Sequence, residues 1–141
     1  KPELSEDDKK ALEEMFKAVL PEGNDYRIEA ENLGETSAPV LITQSEFMRR
    51  YREMSSMGGG MNFYGSLPES YNILVNMQNP LVLKIWGEKK DAADQSVADF
   101  VAANELLHQV VDLALLSNGM LKGKALADFV SRSEKFLSEQ K

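Results

Sequence analysis

The hydrophobic pattern changes period several times along the chain, and each change marks an element. From about Ser5 to Leu20, Leu12, Met15, Phe16, Val19 and Leu20 recur three and four residues apart, the spacing of an amphipathic helix. Ser5 stands where an N-cap belongs, and Glu6, Asp7 and Asp8 fill the first turn, where the helix dipole favours negative charge. Pro21 and Gly23 stop the pattern. Tyr26, Ile28 and Ala30 then alternate with Arg27, Glu29 and Glu31, which predicts a strand with one wet face. Pro39-Val40-Leu41-Ile42 predicts a second strand and Tyr71 to Met77 a third; their branched residues place both toward the middle of a small sheet.

Between the second and third strands the chain is methionine-rich. Thr43 and Glu46 have the spacing of a capping box, and the helix they open carries Phe47, Met48, Tyr51, Met54 and Met57 on one face and Arg49, Arg50, Arg52 and Glu53 on the other. Gly58, Gly59 and Gly60 end it and predict a mobile hinge before Met61, Phe63 and Tyr64. Methionine is flexible and polarisable, which suits a surface that must fit many apolar partners.

Asn79 and Pro80 open another helix, with Leu81, Val82, Ile85 and Trp86, that is expected to end at Gly87 and give way to a charged linker over residues 88–94. A helix of about 37 Å, at 1.5 Å per residue, is expected from Ala93 to Ser117. Its second half is apolar almost all round through Leu106, Leu107, Val110, Val111, Leu113, Ala114, Leu115 and Leu116. Asn118-Gly119 supplies a C-terminal stop, and a last helix runs from about Gly123 to Ser138 with Leu126, Phe129, Val130, Phe136 and Leu137 as its stripe and Ser133 on the same face.

A helix that is apolar on every side must be covered on every side, and one small sheet with two shorter helices is too little material to do it. The pattern therefore predicts an α+β fold: a small three-stranded mixed sheet flanked by helices, and a C-terminal helical hairpin that pairs with a second copy as an intermolecular four-helix bundle about a two-fold axis. The expected interface is Leu106, Val110, Leu113, Ala114, Leu116, Leu126, Phe129, Val130 and Phe136. Residues 1–141 form a single domain in this reading, with the α/β part in 1–90 and the dimerisation helices in 91–141.

Composition narrows the function. With no cysteine, a disulfide scaffold and a thiolate metal site are excluded, and a reducing compartment is indicated. A net charge of −7, from 16 basic and 23 acidic groups, argues against nucleic acid and anionic membrane surfaces as partners. No apolar run approaches the roughly 20 residues that span a bilayer, and the opening Lys1-Pro2-Glu3 reads as a cut from something longer.

Catalysis finds little to stand on. The lone His108 lies near Glu105 and Asp112 in helical spacing, but two carboxylates and one imidazole are an incomplete metal site, and a solvated polar face is the better reading. The glycine triplet follows a helix and lacks the Lys-Ser/Thr of a phosphate loop, and no serine sits in a nucleophile elbow. Two alternatives to a dimerisation module stay open: a small enzyme or ligand-binding domain with a glycine-hinged lid, and a stand-alone assembly adaptor.

Three stretches carry a family resemblance. Asn76-Met77-Gln78-Asn79-Pro80-Leu81-Val82-Leu83-Lys84, then Val111 to Gly119 (VDLALLSNG), then Ala125-Leu126 with Phe129 and Arg132, resemble the closing segments of the ninety-kilodalton heat-shock chaperones, of the bacterial HtpG type. The match is strong over roughly the last seventy residues, and the order of the earlier segments fits. The resemblance implies the C-terminal dimerisation domain of a cytoplasmic ATP-dependent chaperone. It also implies that Phe47, Met48, Tyr51, Met54, Met57, Met61 and Phe63 contact unfolded client proteins. ATP and Mg would belong to another domain of the full-length protein, so this segment is expected to hold no cofactor and to catalyse nothing. The ending Ser138-Glu139-Gln140-Lys141 lacks the acidic pentapeptide that recruits repeat-domain cochaperones in eukaryotic members, which favours a bacterial type without such a partner there.

Overall fold

The computed structural model describes residues 4–44 and 70–140. Their elements are α1 (Glu6–Lys17), β1 (Asp25–Glu31), β2 (Val40–Gln44), β3 (Ser70–Asn76), α2 (Pro80–Asp91), α3 (Val97–Ala103), α4 (Glu105–Ser117) and α5 (Gly123–Ser138). This is the α+β class expected, with a three-stranded mixed sheet. The helix expected from Thr43 and Glu46 onward, with its methionines, lies outside the described residues; Thr43 itself is a strand residue of β2, paired with Asn72.

Strand order is β1-β3-β2, parallel between β1 and β3 and antiparallel between β2 and β3. Register puts Tyr26 beside Tyr71, Ile28 beside Ile73 and Ile42, and Ala30 beside Val75 and Val40. Because side chains alternate across a strand, these rows form one face, and Arg27, Glu29, Asn72, Leu74, Leu41 and Thr43 form the other. The first face is the core: Ile73 and Val75 are 1% and 0% exposed. Only β3 is central. β2 is an edge strand despite its branched sequence, and Leu41 on its open face is 40% exposed. Branched residues favour a pleated, half-buried surface, and an edge strand supplies that as well as a central one.

α1 packs Leu12, Met15 and Phe16 into the core, with Ser5 Oγ accepting from the Asp8 amide at 3.1 Å as its cap. Its Glu13 Oε2 also accepts from the backbone N–H of Ala30 at 2.8 Å. That amide is on the free edge of β1, since Glu31 turns its carbonyl toward β3 and Met77, so the helix blunts an edge that could otherwise template another strand. The connection from β1 to β2 is held by Asn76, which is fully buried. Its Nδ2 donates to the carbonyls of Gly34, Ser37 and Ala38 at 2.8, 3.2 and 3.3 Å, and its Oδ1 accepts from the amides of Leu33 and Gln78 at 3.0 and 3.1 Å.

Two boundaries differ from the sequence reading. α2 continues through Gly87 to Asp91, so Glu88 to Asp91 are helical where a linker was expected. A single glycine costs only about 1 kcal/mol in a helix, and Lys89 and Lys90 sit well in a last turn. The expected long helix is two helices bent by 73° at Asn104. The Asn104 N–H closes α3 on the Phe100 carbonyl at 3.0 Å, its Oδ1 caps α4 by accepting from the Leu107 amide at 2.8 Å, and its Nδ2 donates to Glu88 Oε1 of α2 at 2.9 Å. Asparagine is a poor interior helix residue and among the best N-caps, and here the second role wins. The bend aims Leu107, Val110, Val111 and Leu115 at the core, where none is more than 1% exposed. Among the described residues no single helix is long and apolar enough to cross a membrane.

Candidate dimerisation surface

The hairpin of α4 and α5 is closed by a compact turn. The Gly119 and Met120 amides donate to the carbonyls of Leu116 and Leu115 at 3.1 and 2.8 Å, and Asn118 Nδ2 donates to the Ala114 carbonyl at 2.9 Å. Gly119 has φ +68°, a left-handed conformation that a side chain disfavours, so the Asn-Gly stop seen in the sequence is a conformational requirement. Leu121, beyond the turn, is buried and anchors the start of α5.

Polar side chains join the two helices. Gln109 Nε2 donates to Ser133 Oγ at 2.6 Å, and Ser133 Oγ donates to the Phe129 carbonyl at 2.8 Å. The Arg132 guanidinium bridges neighbouring positions on one face of α4, donating through Nε to Gln109 Oε1 at 3.1 Å and through Nη2 to Asp112. At the open end Lys135 Nζ lies 2.6 Å from Glu105 Oε1, and this hydrogen bond raises the ammonium pKa. On the solvent side of α5 a hydrogen bond from Lys124 holds the Asp128 carboxyl below its usual range. Asp112 differs from these surface groups. It is 8% exposed, and burial pushes its pKa up even though Arg132 and, more weakly, His108 pull it down.

The polar face expected around His108 is solvated at Glu105 but not at Asp112, and its members do not converge. His108 Nε2 donates to the Val101 carbonyl at 2.8 Å, tying α4 back to α3 across the bend, while Glu105 and Asp112 turn to Lys135 and Arg132. No group of three metal-ligating side chains comes together among the described residues.

The apolar residues expected at an interface divide into two sets. Val110, Ala114 and Phe129 are 1%, 8% and 8% exposed, already covered within one protomer. Leu113, Leu116 and Val130 are 45%, 43% and 48% exposed, and Leu137, which the sequence reading left out of the interface, is 72% exposed. Leu106, Leu126 and Phe136 are half-buried between the two sets. Leu106, Leu113 and Leu116 lie seven and three residues apart on α4, and Leu126, Val130 and Leu137 four and seven apart on α5, so each helix carries an uncovered apolar stripe. Leu137 could have been found in the sequence by extending the Leu126–Val130 spacing one heptad. The expected client-contact residues Phe47, Met48, Tyr51, Met54, Met57, Met61 and Phe63 lie outside the described residues.

A cavity of about 840 Å³ opens where β1 and β3 begin and β2 ends. Its lining includes Glu22, Asn24, Gln44, Tyr71, Asn118 and Lys122, with no serine, histidine or aspartate among the described residues. Its ionisable side chains among the described residues are Glu22, Tyr71 and Lys122.

No family model matches the chain. Curated relatives do. It is 30% identical to the chaperone protein HtpG of Porphyromonas gingivalis over 95% of this chain and 28% of that protein. It is 31% identical to the HtpG of Bacteroides fragilis over 87% of this chain and 26% of that protein. With the HtpG of Bacteroides thetaiotaomicron it shares 29% identity over 92% of this chain and 28% of the relative. The chain thus spans little more than a quarter of the length of the relatives it matches. The resemblance carried by the three closing motifs extends to nearly the whole chain, which is homologous to the C-terminal region of the HtpG chaperones, the bacterial branch of the ninety-kilodalton heat-shock family.

Proposed function

We propose that the chain is the homodimerisation module of an ATP-dependent cytoplasmic chaperone, and that α4 and α5 of two copies form a four-helix bundle. The observation that carries this reading is the pair of uncovered stripes, one on α4 with Leu113 and Leu116 and one on α5 with Val130 and Leu137. Scattered exposed leucines are ordinary on a soluble domain, but stripes on two helices of one hairpin are an interface pattern. The proposed contact set is accordingly Leu106, Leu113, Leu116, Leu126, Val130, Phe136 and Leu137, with Val110, Ala114 and Phe129 supporting it from beneath. Sedimentation equilibrium tests it directly. A mass twice 15.8 kDa down to low micromolar concentration is expected, and a monomer throughout would overturn the reading.

The second part of the proposal concerns clients. Phe47, Met48, Tyr51, Met54, Met57, Met61 and Phe63 offer unfolded proteins an adaptable apolar surface; their concentration in one short stretch supports this. Crosslinking an unfolded client to the full-length protein tests it, and adducts confined to other surfaces would refute it. ATP and Mg are assigned to the part of the full-length protein outside this chain. Absence of a nucleotide-induced melting shift in this chain, alongside ATP hydrolysis by the full-length protein, is the expected result.

A further inference from the structure

We infer that the buried Asp112–Arg132 pair is a specificity clamp: it fixes α5 in one register against α4 and so determines which apolar side chains the hairpin presents to a second copy of the chain. The inference rests on the dimerisation reading and deepens it. Among the described ion pairs, this one is set apart by its burial. Its side chains are 17% and 11% exposed, whereas in the other pairs exposure runs from 32% to 88%.

Its geometry is directional where the surrounding packing is not. Arg132 is a rigid planar donor that engages Gln109 and Asp112 together, and Gln109 passes the constraint on to Ser133, one residue along α5. Phe129, Leu126 and Phe136 could exchange one set of apolar neighbours for another if α5 slid by a helical turn of about 5.4 Å. The polar set could not. Such a slip would separate Arg132 from both partners and strand the Asp112 carboxylate in a buried position. The same slip would shift the α5 stripe of Val130 and Leu137 by one turn relative to the α4 stripe of Leu113 and Leu116, and two copies related by a two-fold axis would then meet on mismatched stripes.

The electrostatics point to geometry as the contribution of the pair. The titratable groups acting on Asp112 are Arg132 and, more weakly, His108, which favour its ionised form, and Asp128, which opposes it; burial outweighs the attraction. A pair that does not repay its own desolvation adds little to stability over apolar side chains of the same size, so its effect should appear in which arrangement forms. Arg132 and Asp112 are positioning residues in this sense, acting on the interface through α5.

The test replaces both partners with apolar residues of similar size, Asp112→Leu with Arg132→Met, in the full chain. A melting temperature equal to or above that of the parent is expected when both are compared in the Val130→Asp background, where loss of the dimer does not itself lower melting, with the dimer dissociation constant raised at least tenfold without that substitution. A dissociation constant within threefold of the parent would overturn the clamp. Arg132→Lys guards against a variant that fails to fold, because it keeps the charge but not the fork; a measurable weakening of the dimer is expected, with an unchanged melting temperature in the Val130→Asp background, and no weakening overturns the inference. A purely structural role would not move the second readout, the distance between spin labels at Ser117 and Glu134 in one protomer of a diluted sample. One narrow distance is expected in the parent and a broad or double distribution in the apolar variant; one narrow distance in both refutes the clamp. A monomeric parent chain overturns the dimerisation reading instead, and the label distances then judge the register claim separately.

Discussion

Asn104→Ala should cost about 2.5 kcal/mol of stability, out of proportion to a half-buried polar residue in an apolar stretch. The magnitude follows from what the side chain does. Its Oδ1 caps α4 on the Leu107 amide at 2.8 Å, a role worth about 1 kcal/mol. Its Nδ2 donates to the Glu88 carboxylate at 2.9 Å; hydrogen bonds to charged groups contribute about 1.5–3 kcal/mol, and partial exposure places this one at the low end. Alanine would also lower the cost of the competing straight helix, in which Leu107, Val110 and Val111 no longer face the sheet. For a chain of 141 residues about 2.5 kcal/mol corresponds to a fall in melting temperature of roughly 10 °C. Unfolding can be followed by circular dichroism or by the fluorescence of Trp86, the lone tryptophan, which is 8% exposed. Asn104→Ser, which keeps a capping oxygen but loses the donation to Glu88, should recover about 1 kcal/mol. If Asn104→Ala costs under 0.5 kcal/mol, or Asn104→Ser is no better than Asn104→Ala, the argument that one side chain sets the bend is wrong.

Asn76→Ala should be more damaging, by about 3–4 kcal/mol in urea unfolding, because it strips partners from three carbonyls and two amides around a fully buried position; a loss under 1 kcal/mol would mean that other groups or water satisfy them. Val130→Asp should abolish the dimer while leaving the protomer folded, whereas Phe129→Asp should unfold the protomer, since Val130 is 48% and Phe129 8% exposed. Sedimentation and circular dichroism on the two variants check this, and similar behaviour of both would refute the division of the stripe. The raised pKa of Asp112 sets the sign of a pH effect. Between the unfolded value near 3.8 and the higher folded value, the folded state holds a proton that the unfolded chain has released, so this stabilising contribution is complete below the former and lost as pH rises through the latter. The stability of the parent relative to Asp112→Asn should therefore rise on acidification from pH 7 toward 4; a relative fall would show that attraction to Arg132 outweighs burial.

The periodic patterns in the sequence identified α1, the three strands and α5, because each of these elements buries one face and its period records that face directly. Caps were equally readable at Ser5, Asn79 and the Asn118-Gly119 turn, since capping is a local interaction between a side chain and backbone groups a few residues away. The class of the domain followed from such local signals, and its kinship from the resemblance of the three closing stretches to a known family. Asn104 lay outside their reach. A run of helix formers with one asparagine is compatible with a straight helix or a bent one, and the choice depends on Glu88, sixteen residues earlier, and on the sheet face that α4 must cover.

The same holds for the interface. Val110 and Leu113, or Phe129 and Val130, are indistinguishable by composition and spacing on a helix that is apolar all round. Only the placement of α4 against β2 and of α5 against α4 divides them into covered and uncovered residues. Asp112 belonged to a polar triad in sequence, but tertiary packing turned it from His108 toward Arg132 and took it out of water. Sequence alone determined which segments are amphipathic and which residues cap α1, α2 and the turn at Asn118-Gly119, because hydrophobic periodicity and capping act over a few residues. Tertiary structure decided which faces remain uncovered, because burial is a property of elements packed against one another.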